Sequence, residues 1–188
     1  PPNCGRRLRP KPRSSRMTSG AESLTLVLVG PMGSGKTSIG RRVARVLGLP
    51  LIDTDKRIVS EHGSIPSIFE EHGEQHFRAL ERSAVADALA EGGVISLGGG
   101  AVTDAGTRGL LREHPVVFLT VSPSAVADRI AAGGRPLLES EDPIARWTEI
   151  FEERRAWYDE VASVTFDTSR RPMQRIAEDI VAWRRDQR

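Results

Sequence analysis

Residues 24–48 read LTLVLVGPMGSGKTSIGRRVARVLG, and the rest of the chain is arranged around this stretch. It opens with a nearly unbroken apolar run, residues 24–29, which is short enough for a strand and suits a sheet covered on both faces. Residues 30–37 then match GxxxxGK[ST], and apolar residues recur at helical spacing up to Gly48, which suits a left-handed helix cap. Strand, glycine loop and helix together predict a binding site for the phosphates of a nucleoside triphosphate.

The residue types in this loop fit anion binding. Gly30, Gly33 and Gly35 permit backbone conformations that a Cβ would block, so successive N–H groups can point into one concavity. The helix that begins near Gly35 adds the positive end of its dipole. Lys36 can reach the β and γ phosphates, and the Thr37 hydroxyl can bind Mg²⁺. The alternative is a glycine turn with a solvated lysine, which the flanking strand and helix disfavour.

Length and composition indicate a single globular domain. The chain has 188 residues, 38% of them hydrophobic and 28% charged, which is enough for a core that folds unaided. No apolar run approaches the roughly 20 residues of a membrane span. Cys4 is the only cysteine, so no intrachain disulfide can form. We therefore expect a cytoplasmic protein that does not bind membranes.

Positive charge is concentrated at the start of the chain. Residues 1–16 carry six cations and no acid, so residues 17–188 have a net charge of −4, against +2 for the whole sequence. The six are Arg6, Arg7, Arg9, Lys11, Arg13 and Arg16. We predict that residues 1–20 are a disordered basic tail or upstream sequence, and that residues 21–188 form the domain. A tail that binds nucleic acid is the alternative, but the domain itself shows no nucleic-acid surface.

Acids and glycines follow two of the predicted strands. In residues 50–55, PLIDTD, Asp53 and Asp55 are two apart and lie on the same side while the chain stays extended. Carboxylates at this edge of a parallel strand lie where open α/β sheets bind ligands, although Asp55 also fits the cap of a following helix. Three glycines, residues 98–100, end the third strand. They fit either a tight turn or a surface on which a small ligand lies against the main chain.

Two pairs of charged residues lie on predicted helices. Arg78 and Glu81 are three apart and share a helix face, where a surface ion pair is the alternative interpretation. Arg154 and Arg155 fall near the end of a later helix, where cations suit the helix dipole. These patterns alone do not decide between a structural and a functional role.

Strands alternate with helices along the chain, which implies a parallel sheet with right-handed crossovers and helices on both faces. The expected fold class is α/β: a five-stranded parallel sheet in the order 2-3-1-4-5, of P-loop NTPase type. Residues 131–142, with hinge-like glycines and Arg135, are predicted to be a short lid, with a mobile surface loop as the alternative. The phosphate loop, the acid pair and the triple glycine all follow strand ends, so they converge on one rim of the sheet.

These motifs, taken together, resemble the shikimate kinase family across nearly all of residues 24–183. Six segments occur in the family's order and approximate spacing: residues 30–37, 51–55 (LIDTD), 77–81 (FRALE), 96–102 (SLGGGAV), 134–138 (GRPLL) and 155–158 (RAWY). The resemblance implies ATP-dependent phosphorylation of the 3-hydroxyl of shikimate, giving shikimate 3-phosphate and ADP. That reaction is a step of chorismate and aromatic amino-acid biosynthesis, and we expect a monomeric enzyme that uses Mg²⁺.

The resemblance also implies which residues hold the acceptor. Asp55, Arg78, Arg155 and the main chain of Gly98, Gly99 and Gly100 would bind shikimate, with Glu81 orienting Arg78. Planar arginine forks suit a carboxylate, and Asp55 suits a hydroxyl that it aims and deprotonates.

On the nucleotide side, the resemblance implies contacts from the phosphate loop, the lid and two later arginines. The loop contacts are Gly33, Ser34, Gly35, Lys36, Thr37 and Ser38. Thr37 and Asp53 would bind Mg²⁺, Asp53 through water. Arg135 would reach the transferring phosphate from the lid, and Arg129 and Arg171 would flank adenine. Lys36, Asp55 and Arg135 are the expected catalytic residues.

Two other functions fit parts of the pattern. A small P-loop kinase acting on gluconate or a nucleoside monophosphate shares the phosphate loop, although Asp53 and Asp55 would repel a nucleotide's phosphate. A nucleotide-dependent switch would bind ATP without turnover, because a fold alone does not fix a function.

Overall fold

The structure is a computed structural model that describes residues 25–131 and 142–187. Its strands are β1 (Thr25–Val29), β2 (Leu51–Asp53), β3 (Gly93–Ser96), β4 (Val116–Thr120) and β5 (Val164–Asp167). Its helices are α1 (Lys36–Leu47), α2 (Thr54–His62), α3 (Ile65–Glu91), α4 (Ala105–Leu111), α5 (Pro123–Ala131), α6 (Pro143–Val161) and α7 (Met173–Asp186). A single 3₁₀ turn, Ala101–Thr103, precedes α4.

The five strands form one sheet in the order β2-β3-β1-β4-β5, and every neighbouring pair is parallel. The predicted fold class and strand order are confirmed. β1 is the central strand and pairs with β3 on one side and β4 on the other. The carboxyl ends of the strands therefore lie along one rim, with the loops after β1, β2 and β3 side by side.

Both faces of the sheet are buried, as the apolar run of β1 predicts. Leu26 and Leu28 pack with α1 and α7 on one face, whereas Val27 and Val29 pack with α3 and α6 on the other. Each of these four side chains is 1% exposed or less. Alternate residues of β1 thus belong to two separate cores, which explains why its sequence is apolar throughout.

The boundary between β2 and α2 differs from the prediction. The chain turns into helix at Thr54, because the Asp53 carboxylate accepts a hydrogen bond from the Lys56 backbone N–H at 3.2 Å and caps the helix. Asp53 and Asp55 are therefore not two residues of one extended strand. Asp55 lies in the first turn of α2, and the cap is Asp53 rather than Asp55.

Glycine caps α1 where the sequence predicts the end of a helix, and another glycine interrupts α3. Gly48 caps α1 in the left-handed region, with φ 68°. Gly73 breaks α3 with φ 78° and ψ 172°, so the helix is kinked at this glycine.

Some predictions fall on residues that the structure does not describe. The predicted lid, residues 131–142, lies largely outside the described part of the chain, and so does Arg135. Within the described ranges, no helix combines the length and apolarity needed to cross a membrane.

Candidate active site

The phosphate loop between β1 and α1 has a main chain that only glycine suits at several points. Gly30, Gly33 and Gly35 have φ values of 145°, 79° and 87°. A Cβ on Gly30 would lie 2.2 Å from the Leu119 carbonyl oxygen of β4, so the loop runs directly against the sheet. Lys36 donates to the carbonyl oxygens of Gly30, at 2.7 Å, and Pro31, at 2.9 Å. The Lys36 side chain thus spans the phosphate loop and holds its first two residues.

Oxygen ligands gather at the start of α1. The Thr37 hydroxyl donates to Asp53 Oδ2 at 2.8 Å and lies 3.4 Å from the Ser96 hydroxyl. The three residues come from α1, β2 and β3, which are brought together by the parallel pairing of β2 with β3. Hydroxyl and carboxylate oxygens are ligands that suit Mg²⁺.

Two side chains from outside the loop donate hydrogen bonds to its carbonyl oxygens. The Trp147 indole N–H of α6 donates to the Met32 carbonyl oxygen at 2.9 Å. Arg129 of α5 donates to the Gly33 carbonyl oxygen at 2.9 Å and to the Thr168 carbonyl oxygen at 3.1 Å. Arg129 therefore joins the phosphate loop to the end of β5.

Asp55, Arg78 and Glu81 surround the glycines after β3. A Cβ on Gly98 would lie 2.3 Å from Asp55 Oδ1 and 2.8 Å from Glu81 Oε1, and one on Gly100 would lie 2.6 Å from Arg78 Nη1. Arg78 donates to Glu81 Oε2 at 2.6 Å. The bare main chain therefore lets a carboxylate pair and a guanidinium approach within contact distance, and the three charged residues are brought together as predicted.

Burial sets the proton affinity of both acids. Burial raises the pKa of Asp55 above its usual value, partly offset by the charge of Lys36, and the neighbouring Asp53 raises it further. Burial likewise raises the pKa of Glu81 to about 7, against the opposing effect of Arg78. Asp55 is thus a stronger base than an exposed aspartate.

The structure corrects the position of the second predicted arginine. Arg154 of α6 donates to the Gly99 carbonyl oxygen at 3.2 Å and lines the pocket. Arg155 is 58% exposed, lies near Glu152 and Asp159 on the outer face of α6, and does not line the pocket. The arginine beside the glycines is Arg154, one position before the predicted one.

The phosphate loop, the oxygen ligands at the start of α1 and the charged residues around the glycines line one cavity of about 1100 Å³, whereas Arg129 and Arg155 do not line it. Its polar wall contains Lys36, Thr37, Asp53, Asp55, Arg78, Glu81, Arg154 and residues 98–100. Its apolar wall contains Val59, Ile65, Phe69, Phe77, Trp147 and Phe151. Gly33, Gly35 and Ser38 also line the cavity, and Ser34 is fully buried. Arg171 does not line the cavity and forms an ion pair with Asp179 of α7.

Sequence reasoning did not assign five residues of α6 to the pocket: Trp147, Ile150, Phe151, Arg154 and Tyr158. Tyr158 donates to the Gly99 carbonyl oxygen, so the tyrosine and Arg154 hold the same peptide. Helical periodicity was the available signal. At 100° per residue, Arg154 lies about 20° around the helix axis from the buried Trp147, whereas Arg155 lies about 80° away.

Known proteins resemble this chain along most of its length. A family model described as shikimate kinase matches residues 32–185. A shikimate kinase from Corynebacterium efficiens is 46% identical over 156 residues, which are 81% of this chain and 92% of that relative.

Solved structures resemble the fold as well. A shikimate kinase from Acinetobacter baumannii, in complex with shikimate, superposes with a TM-score of 0.79 at 33% identity, covering 89% of this chain and 96% of that one. A gluconokinase from Sinorhizobium meliloti superposes with a TM-score of 0.58 at 21% identity, covering 88% of this chain and 93% of that one. The latter likeness extends to the fold alone.

Proposed function

This chain belongs to the shikimate kinase family, and from that membership we propose how its residues divide the work of phosphoryl transfer. The protein transfers a phosphoryl group from ATP to shikimate, a reaction of aromatic amino-acid biosynthesis. The acceptor is the 3-hydroxyl, and the products are shikimate 3-phosphate and ADP.

The observation that carries the assignment is the group of side chains around residues 98–100. Asp55 Oδ1 and Glu81 Oε1 border Gly98, Arg78 borders Gly100, and Arg154 donates to Gly99. A small polyhydroxy carboxylate needs cationic forks for its carboxylate and an acceptor for its hydroxyls. This wall supplies both within the cavity that the phosphate loop closes on its other side.

Asp55 is the group that aims the attacking hydroxyl and takes its proton. Its raised pKa favours proton acceptance, and its place in the first turn of α2 fixes its direction toward the glycines. Arg78 and Arg154 hold the substrate carboxylate, and Glu81 fixes the Arg78 fork through the 2.6 Å hydrogen bond. Positioning and charge neutralisation supply most of the rate in phosphoryl transfer.

The nucleotide phosphates bind to the phosphate loop. The main-chain N–H groups of Gly33 and of residues 35–38, together with the Lys36 ammonium, neutralise their charge, with the positive end of α1 behind them. Arg135, which lies outside the described residues, is the proposed cation for the transferring phosphate. Arg129 and Arg171 flank adenine, and the contact of Arg129 with Gly33 supports its nearness to the nucleotide.

The residues at the start of α1 fit Mg²⁺. Thr37 and Asp53 offer hydroxyl and carboxylate oxygens 2.8 Å apart, and Mg²⁺ typically uses one or two carboxylates together with substrate phosphates. Thr37 would bind the ion directly, and Asp53 through water. The ion, when bound, neutralises charge on the β and γ phosphates.

The protein acts as a monomer in the cytoplasm. Light scattering after size-exclusion chromatography tests the oligomeric state and should give the mass of one chain, 20.5 kDa.

The test of function is ADP release by the full chain with ATP, Mg²⁺ and one acceptor at a time. Shikimate should stimulate release, whereas gluconate and AMP should not. Asp55→Asn keeps the size of the side chain and removes the base, so it should lower kcat by at least about 100-fold. Equal stimulation by gluconate, or full activity of the Asp55→Asn variant, would refute the assignment.

A further inference from the structure

The phosphate loop contains a tight turn shortly before α1. The Ser34 backbone N–H donates to the Pro31 carbonyl oxygen at 3.3 Å, which makes Pro31 and Ser34 the ends of a four-residue turn. Gly33 is its third residue, with φ 79°. A positive φ at this position is the mark of a type II turn, which needs glycine there. The central peptide is the one between Met32 and Gly33.

The orientation of that peptide decides what the loop presents to an anion. In a planar trans peptide the C=O and the N–H point in opposite directions. When the Met32 carbonyl oxygen points toward α6, the Gly33 N–H points to the opposite side of the peptide, where it can donate to a phosphate oxygen. A flipped peptide would turn a carbonyl oxygen toward the phosphate, and glycine tolerates both φ values.

A side chain from α6 fixes the observed orientation. The Trp147 indole N–H donates to the Met32 carbonyl oxygen at 2.9 Å, and Trp147 is 2% exposed. Its ring is stacked on Phe151, with centroids 5.3 Å apart, so the donor is held in place by packing. Because Trp N–H is a donor only, this contact is satisfied in one peptide orientation and lost in the other.

We propose that Trp147 is a positioning residue of the nucleotide site: its indole N–H holds the Met32–Gly33 peptide so that the Gly33 N–H faces the bound phosphates. The proposal rests on the proposed function only in that the loop binds nucleotide. Trp147 acts through the main chain, so its removal weakens nucleotide binding and turnover while shikimate binding persists.

The first test compares Trp147→Phe with Trp183→Phe. Both substitutions replace a packed indole by a phenyl ring, but Trp183 packs in the α1/α7 core, away from the cavity. Trp147→Phe should weaken ADP binding about 10-fold, the scale of one lost hydrogen bond to a charged group, and lower kcat. Calorimetric titration of shikimate, without nucleotide, should give an affinity within about twofold of the parent protein's. Trp183→Phe should leave ADP affinity unchanged.

A second variant separates the hydrogen bond from the packing. Trp147→β-(3-benzothienyl)alanine keeps the size and shape of the ring and replaces the N–H by sulfur. It should weaken ADP binding about as much as Trp147→Phe does, at an unchanged melting temperature. It also keeps the test valid if the phenylalanine variant does not fold.

Three results would overturn the proposal: parent-like ADP affinity of the benzothienyl variant, an equal loss of shikimate affinity in Trp147→Phe, or an equal loss of ADP affinity in Trp183→Phe. These titrations do not depend on turnover. A parent protein that binds ADP but shows no shikimate-stimulated ADP release would therefore refute the proposed function and leave the role of Trp147 to be decided separately.

Discussion

Glu81 places a carboxyl group in the pocket wall, where its side chain is 2% exposed. Arg78 on its own helix, Asp55 on α2 and Arg154 and Tyr158 on α6 are the titratable groups that face it. Burial dominates over the attraction of Arg78 and raises the pKa of Glu81 from 4.5 to about 7. The folded protein therefore holds a proton on Glu81 at pH values where the unfolded chain has lost it.

This difference between the folded-state and unfolded-state pKa of Glu81 predicts how stability depends on pH. Because the pKa is higher in the folded state, the contribution of Glu81 to stability is complete below about pH 4.5 and is lost as the pH rises through about 7. Glu81→Gln does not titrate, so its free energy of unfolding relative to the parent protein should rise by up to about 3 kcal/mol between pH 4.5 and 8. Urea unfolding at both pH values measures this change. Glu153→Gln, at an exposed position of α6, is the control, and a difference that is constant with pH would contradict the prediction.

Arg154 and Arg155 are adjacent in sequence, but only Arg154 reaches the glycines. The main-chain contact of Arg154 and the 58% exposure of Arg155 predict opposite results for two identical substitutions. Arg154→Ala should raise the KM for shikimate at least about 10-fold, since a charged partner of the substrate is lost, whereas Arg155→Ala should change it less than about twofold. Steady-state kinetics at saturating ATP provides the measurement. A larger rise in KM for Arg155→Ala than for Arg154→Ala would show that Arg155, the residue indicated by the sequence motif, binds shikimate.

At the scale of elements, hydrophobic periodicity and the glycines that end helices and strands predicted the first helix and the strands around it. The apolar run of β1 and the glycine at position 48 gave boundaries close to those observed. The end of β2 was predicted incorrectly, because either Asp53 or Asp55 could cap a helix, and the choice depends on where the chain meets β3. Arg154 was missed for a related reason: a local motif was matched without placing its residues on the helix face.

Gly73 divides α3 and directs the segment that carries Ile65 and Phe69 into the cavity. Its φ of 78° with ψ 172° is a conformation that residues with a Cβ rarely adopt, although a Cβ there would meet no atom within 4 Å. Gly73→Ala should therefore destabilise the fold by about 1–3 kcal/mol through backbone strain alone. Chemical denaturation measures the loss.

The matched control for this substitution is Gly109→Ala in α4. A Cβ on Gly109 also meets nothing within 4 Å, but Gly109 has no positive φ and lies within a helix. Alanine should stabilise the protein there by up to about 1 kcal/mol, through helix propensity and the entropy of the unfolded chain. The same sign of change at both positions would contradict the explanation from backbone conformation.

At the scale of the whole molecule, the strand order brings the functional groups together. Because β1 lies between β3 and β4, the loops after β1 and β3 are neighbours, and a Cβ on Gly99 would lie 3.5 Å from the Met32 backbone N. Alternation of strands and helices was sufficient to predict this rim. It did not predict that α6 would contact both loops, because the packing of a helix across a sheet edge depends on contacts distant in sequence.

The last prediction concerns which residues fold together as one cooperative unit. We propose that the domain comprises residues 21–188, since β1 begins at Thr25 and the family model matches residues 32–185. Residues 1–16 contribute six cations and no acid, a composition that cannot bury much apolar surface. A chain that begins at residue 21 should keep the melting temperature within about 2 °C and kcat within about twofold of the full chain. Scanning calorimetry and the shikimate assay measure both.

A second truncation, at residue 29, is the control. It removes residues 25–28 of the central strand, whose side chains are at most 3% exposed, and with them the pairing of β1 with β3 and most of that with β4. Burying those side chains contributes several kcal/mol, comparable to the whole stability of a domain of this size. The shorter chain should therefore fail to fold. A marked loss of stability already at residue 21 would show that the first 20 residues belong to the folded unit, because only contacts made by them would then have been removed.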